Sequence, residues 1–310
     1  MGEWSKKIGE YGESVVERFL SVIGWSDLTK GIQIDCSQQN GEHLNSKGEP
    51  ARTHGIDFLY SYMNPLVDGQ LNNIVISSKY SNDKYPNSPQ TTFKKYMLDL
   101  INTIECFDCS PQKDSIIPSF QPTTINDVGV LFWLNNSKDG LDDLISAVSN
   151  VRIDSFKNNT IYIMDNKRIG FILEVMSYVK SKTGYKYSFY YPATGRNLNP
   201  QNRNNTGSIL PVEYLNSSVL PIKLVKKCNE KEIALLLASL DDFEAADLKR
   251  LMGLAKDISS NWVGDVIIAF PDYNELAHKN IVAESKQGFQ DNEFTKTVTV
   301  ENYKNLLNVF

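Results

Sequence analysis

Long apolar runs are missing from this chain. No stretch of about 18 apolar residues occurs, so no membrane span is expected. The first residues, Met1-Gly2-Glu3-Trp4-Ser5-Lys6, hold no apolar leader region, and a cytoplasmic location is expected. Cysteine stands only at 36, 106, 109 and 228, which argues against a disulfide-stapled scaffold and agrees with a reducing compartment. Histidine is scarcer still, and His43, His54 and His278 form no persuasive Ser-His-Asp order. Neither a P-loop nor a G-x-G-x-x-G is found, so nucleotide or dinucleotide binding is not indicated. No internal repeat is visible.

What is there is a globular composition, 41% hydrophobic and 11% aromatic over 310 residues, enough for one large domain or two smaller ones. The net charge of −5 conceals an asymmetry. Residues 180–227 hold eight Lys/Arg and a single acid, Glu213, while residues 228–310 hold fourteen acids and eight bases. A basic island in an acidic protein is a candidate nucleic-acid surface or a solvated strand-loop region, and both readings stay open.

Apolar positions at Ile8, Tyr11, Val15 and Phe19 predict a helix over 6–24, stopped at Gly24. Strands are expected near 31–37, 54–63 and 73–80, the last two joined by the turn Asn64-Pro65-Leu66-Val67-Asp68-Gly69. A helix over 91–107 and a Pro-containing linker over 110–126 follow. Beyond them the pattern predicts strands at 128–134, 161–164, 185–191, 219–225 and 265–270. Helices are expected at 139–148, 168–181, 230–239, 244–258 and 301–309, and a long loop at 192–209. Alternating strands and helices imply an α/β fold with a mixed sheet. The expected organisation is a core over residues 1–110 and an α/β elaboration over 111–310, with freedom for the two to pack as one domain.

Three residues carry candidate chemistry. Asp57 interrupts the apolar strand Ile56 to Tyr60, where an unpaired charge is costly. Lys79 ends the run Ile74-Val75-Ile76-Ser77-Ser78, and the period of two points Ser77 and Lys79 to one face. Glu13 lies on the border of the first helix's apolar stripe, within reach of a sheet edge beneath it. Taken singly, each also fits an ordinary surface charge.

In order and spacing these pieces resemble the PD-(D/E)XK nuclease superfamily, whose restriction-endonuclease-like fold is a mixed sheet flanked by helices. Gly9-x-x-Gly12-Glu13-x-x-Val16-x-x-Phe19-Leu20 looks like a resolvase-type first helix with its glutamate, Gly55-Ile56-Asp57 like the first acidic strand, and Ser77-Ser78-Lys79 like the (D/E)-x-K tripeptide. The resemblance covers residues 6–108. It implies a Mg²⁺ (or Mn²⁺) site made by Asp57, Glu13 and the Ser78 carbonyl, with Lys79 as catalytic lysine. One departure stands out, since Ser77 occupies the position of the usual acid. Mrr-type branches carry Gln there and keep a helix glutamate. The whole-chain pattern further resembles the nuclease-like subunit of a two-gene bacterial anti-phage defence system, which implies a second protein as partner.

Lys84, Lys94, Lys95 and Tyr96 beside this site, and Lys182, Lys186, Arg196 and Arg203 further on, interleave cations with aromatics and are candidate nucleic-acid contacts, with DNA favoured over RNA. Cys106-Phe107-Asp108-Cys109 lacks a second ligand pair and is read as two thiols rather than a zinc site. His54 is read as structural, facing away from Asp57. Two rivals to a nuclease remain: a catalytically degenerate fold that senses DNA ends or junctions, and a protein-binding scaffold.

Overall fold

The computed structural model describes residues 2–38, 41–45, 48–136, 143–153, 160–198, 203–259 and 262–304. The chain divides into two compact units, Met1–Ile169 and Gly170–Phe310.

The first unit opens with α1 (Gly2–Val22), followed by three antiparallel strands, β1 (Thr29–Asp35), β2 (Thr53–Met63) and β3 (Gln70–Ser81). Helices α2 (Gln90–Asp108) and α3 (Pro111–Phe120) lead to β4 (Thr124–Asn135), which pairs parallel to β3 over its whole length. A short α4 (Leu144–Val148) precedes β5 (Ile161–Met164), parallel to β4. The sheet order is β1-β2-β3-β4-β5. β4 and β5 thus continue the sheet, and the first unit runs well past residue 110.

Strand alternation sorts the two helical layers. Even-numbered residues of β3 and β4, and of β2 from Phe58 on, face α1: Phe19 meets Phe132 edge to face, and Trp25 stacks on Tyr60. Val16, Phe19, Leu20 and Ile23 of this stretch are essentially without solvent contact. Burial of side chains of this size is worth about 1.5–3 kcal/mol each, which fixes α1 on the sheet. Gly24, at φ 87°, ends the helix in the left-handed region, as the sequence predicts. The odd-numbered Leu59, Val75, Leu131 and Trp133 face α2 and pack with Phe93, Met97, Leu100 and Ile104.

The second unit contains α5 (Asn166–Ser181, which begins just before it), β6 (Tyr185–Tyr190), β7 (Thr206–Gly207), a 3-10 turn at Val212–Asn216, β8 (Val219–Lys226) and β9 (Ile233–Ser239). It ends with α6 (Ala245–Ser259), β10 (Asp265–Phe270), α7 (Glu275–Gln287), α8 (Asn292–Thr297) and β11 (Val298–Asn302). Its mixed sheet runs β11-β10-β9-β8-β6-β7. Leu235, Leu237, Val266, Ile268 and Phe270 of that sheet pack with Leu248, Leu251 and Met252 of α6. Among the described residues no helix is long and apolar enough to cross a membrane.

Three expectations need correction. Residues 230–239 are not helical; Ile233–Ser239 is the strand β9, almost wholly buried, and a short continuous apolar run carries no period to separate strand from helix. The supposed linker 110–126 contains α3, capped by the Ser110 hydroxyl, with Pro111 at the first helical position where its missing N–H costs nothing. The expected last helix at 301–309 overlaps β11, and residues 305–310 lie outside the described residues. Of the expected helix at 139–148, Leu144–Val148 is helical, while 139–142 lie outside the described residues.

Candidate active site

β2 and β3 stay in register up to Phe58↔Ile76, and beyond that pair the ladder ends. The Ser78 N–H donates instead to the Asp57 carboxylate at 2.6 Å. The side chain of Ser77 also hydrogen-bonds to Asp57. A carboxylate from one strand has thus replaced main-chain pairing at the end where the two strands separate. Asp57 is held against the Ser77-Ser78-Lys79 tripeptide, as the spacing predicts.

Burial raises the Asp57 carboxyl above its ordinary range, against the opposing pull of the Ser78 N–H and the Lys79 ammonium. Glu13 keeps much of its surface in solvent, yet partial desolvation and the charge of Asp57 raise it too, with Lys79 again opposing. Glu13, Asp57 and Lys79 therefore share one electrostatic field. What brings Glu13 there is its neighbour. A Cβ at Gly12 would collide with Cβ and Cγ of Tyr80, so only glycine lets α1 approach β3 this closely. Tyr11 meets the same tyrosine edge to face, with ring centroids 5.4 Å apart.

Lys79 points the other way from Tyr80, toward α2. Its ammonium lies 3.8 Å from Asp99 and 5.6 Å from the centroid of the Tyr96 ring, which itself packs on Trp133. Asp99 was not singled out in the sequence. The available signal was its place on α2, one turn after Lys95 and on the side that meets a lysine-ended strand. Glu17 of α1 is not simply a solvent-facing acid, since it pairs with Lys30 of β1 at 2.6 Å.

The candidate nucleic-acid contacts separate into two groups. Lys94, Lys95 and Tyr96 lie on α2 of the first unit, on the helix that carries Asp99, and Lys84 is exposed in the segment before it. In the second unit Lys182 pairs with Glu301 at 2.9 Å and Lys186 with Glu230 at 3.0 Å. Arg203 donates to the Tyr191 carbonyl, and Arg196 is exposed in the loop before it. Much of the basic island's charge is therefore already matched by acids or main chain.

Burial raises both carboxyls, and the charge of Asp57 raises Glu13 further, while Lys79 opposes at each. Two hard carboxylate donors, one of which disfavours the other's charge, suit a divalent cation such as Mg²⁺.

A first helix on one face, an antiparallel β-meander with an acid and a lysine where its last two strands part, then a helix on the other face leading to a parallel strand: this is the architecture of a PD-(D/E)XK nuclease domain. The model of one such family, described as the GAPS4 protein PD-(D/E)XK nuclease domain, matches residues 1–168, and the chain belongs to that family. No curated protein and no solved structure matches it. The matched segment ends one residue short of the end of the first compact unit.

Proposed function

We propose that this chain is a divalent-metal-dependent nuclease that hydrolyses phosphodiester bonds in DNA, acting with a partner protein in anti-phage defence. The observation that carries the reading is the Ser78 N–H bond to Asp57 next to Lys79, with Glu13 in the same field. Asp57, Glu13 and the Ser78 carbonyl would hold Mg²⁺ or Mn²⁺, which when bound supplies charge neutralisation and a more acidic water. Ser78 orients one Asp57 oxygen and leaves the carboxylate's remaining acceptor capacity for that role. Lys79 supports the attacking water and the charge that grows on phosphate oxygens. Asp99 restrains the Lys79 ammonium near the site. Ser77, lacking a carboxylate, serves as a hydrogen-bond donor to Asp57 rather than as a ligand.

The test is a cleavage assay on supercoiled, linear and junction DNA and on RNA, with Mg²⁺, Mn²⁺ or EDTA, with and without the product of the neighbouring gene. Cleavage is expected only with metal, and Asp57→Ala and Lys79→Ala are each expected to lower it by about 10²-fold or more. The serine at position 77 specifically favours a second reading, a DNA-end or junction sensor on a retired nuclease fold. Salt-sensitive DNA binding with no cleavage under any of these conditions would establish that reading instead.

A further inference from the structure

Four residues remote in sequence converge on the far side of β1 and β2. Cys36 follows β1, His43 lies in the connection after it, His54 is the second residue of β2, and Cys106 is in the last turn of α2. One donor atom from each falls within 4.8 Å of all the others. The Sγ atoms of Cys36 and Cys106 are 3.9 Å apart. His43 Nδ1 lies 3.5 Å from Cys36 Sγ, 3.4 Å from Cys106 Sγ and 3.3 Å from His54 Nε2.

These spacings have a simple origin. Zn–S bonds of about 2.3 Å and Zn–N bonds of about 2.0–2.1 Å, arranged as a tetrahedron, give edges near 3.8 Å for S to S, about 3.5 Å for S to N and about 3.3 Å for N to N. The four edges given above follow that order and those lengths. Hydrogen bonding cannot explain the same packing, because His43 Nδ1 has three neighbours at bonding range and can make one such bond.

The surroundings are those of a ligand set. His43 Nε2, the nitrogen turned away from the cluster, faces Glu105 Oε2 at 3.4 Å, and Gln38 Nε2 donates to the other Glu105 oxygen at 3.1 Å. A carboxylate behind a ligating imidazole fixes its tautomer and orientation. The Ser37 N–H and hydroxyl both approach Cys106 Sγ, at 3.3 and 3.4 Å, as donors suited to a thiolate. Residues 37–53 hold a single large aliphatic residue, Leu44, which is 56% exposed, whereas His43 is only 4% exposed. Apolar burial does not anchor this excursion; a polar histidine does.

We infer that Cys36, His43, His54 and Cys106 form a tetrahedral Cys₂His₂ site for Zn²⁺ that ties the edge of the sheet and the β1–β2 excursion to α2. Thiolate and imidazole donors in this geometry select zinc over the oxygen-seeking Mg²⁺. The site is separate from Asp57 and structural in kind, with four protein ligands and no open position. The lone C-x-x-C of the sequence is divided by it: Cys106 is a ligand, and Cys109 is an exposed thiol.

The test is metal analysis of the full chain purified without chelator. About one zinc per chain is expected, retained by Asp57→Ala, lost at least tenfold in His54→Ala and Cys106→Ser, and retained in His54→Cys, which keeps a ligand. On wild-type protein, exchange with Co²⁺ should give the ligand-field and thiolate charge-transfer bands of a tetrahedral S₂N₂ site, a reading that needs no variant to fold. Substoichiometric zinc together with no cobalt–thiolate bands would overturn the proposal. So would a native Cys36–Cys106 disulfide found by mass spectrometry.

Discussion

Asp57 is a residue whose environment opposes its own charge. Burial holds its carboxyl above the ordinary range, so the folded state keeps the proton longer than the unfolded chain does. Such a group opposes folding once pH has risen through the ordinary carboxylate range, and the penalty is complete above the folded-state value. In EDTA, Asp57→Asn should therefore raise Tm at neutral pH, and the gain should shrink to nothing as pH falls below the ordinary range. Thermal melts at several pH values check this; a Tm gain that persists unchanged at acid pH would contradict it. The acid and lysine of the candidate site stand out in the sequence because a lone charge in an apolar strand is conspicuous. Asp99 does not, since an acid on the exposed border of a helix has many commonplace explanations. The cysteine–histidine cluster was hidden for a different reason. Its four members are spread over residues 36–106, and only the fold brings them together.

At the level of elements, the critical contact is α1 on β3. Gly12→Ala should push the helix away from Tyr80, at a cost of about 1–3 kcal/mol for overpacking, and should withdraw Glu13 from Asp57. A lower Tm and impaired cleavage are expected together, with Tyr80→Gly in the same chain, which removes the Cβ that the new methyl would meet, restoring part of the stability. An unchanged Tm would mean that the helix has room to spare. Elements with a clear period, such as α1, β2, β3 and α2, were readable from the sequence. The strand β9 was not, because Ile233-Ala-Leu-Leu-Leu-Ala-Ser is apolar on both faces and so shows no alternation. α3 was missed because Pro111 reads as a breaker until its position as the first helical residue is known.

Taken as a whole, the molecule is acidic, so any affinity for DNA must come from local patches. Lys95 is exposed on the helix beside the site, while Lys186 is already paired with Glu230. Lys95→Ala should lower the slope of log K against log salt by about one, and Lys186→Ala should change it less. Equal effects would assign the basic region of the second unit a direct part in binding. Asp57 and the tripeptide that holds it lie on a single hairpin, with Asp57 and Ser78 only 21 positions apart, whereas the β3–β4 pairing joins residues such as Asn73 and Asp127, 54 positions apart. Closing the shorter loop costs less chain entropy, so the corner that holds Asp57 is expected to form with the folding nucleus and the parallel strand to dock afterwards. Gly69 belongs to both events: its left-handed backbone turns the hairpin, and its carbonyl accepts the N–H groups of Thr123 and Thr124 where β4 begins. The speed at which this chain becomes competent would then be set by the arrival of β4, on a scaffold where acid and lysine have already met.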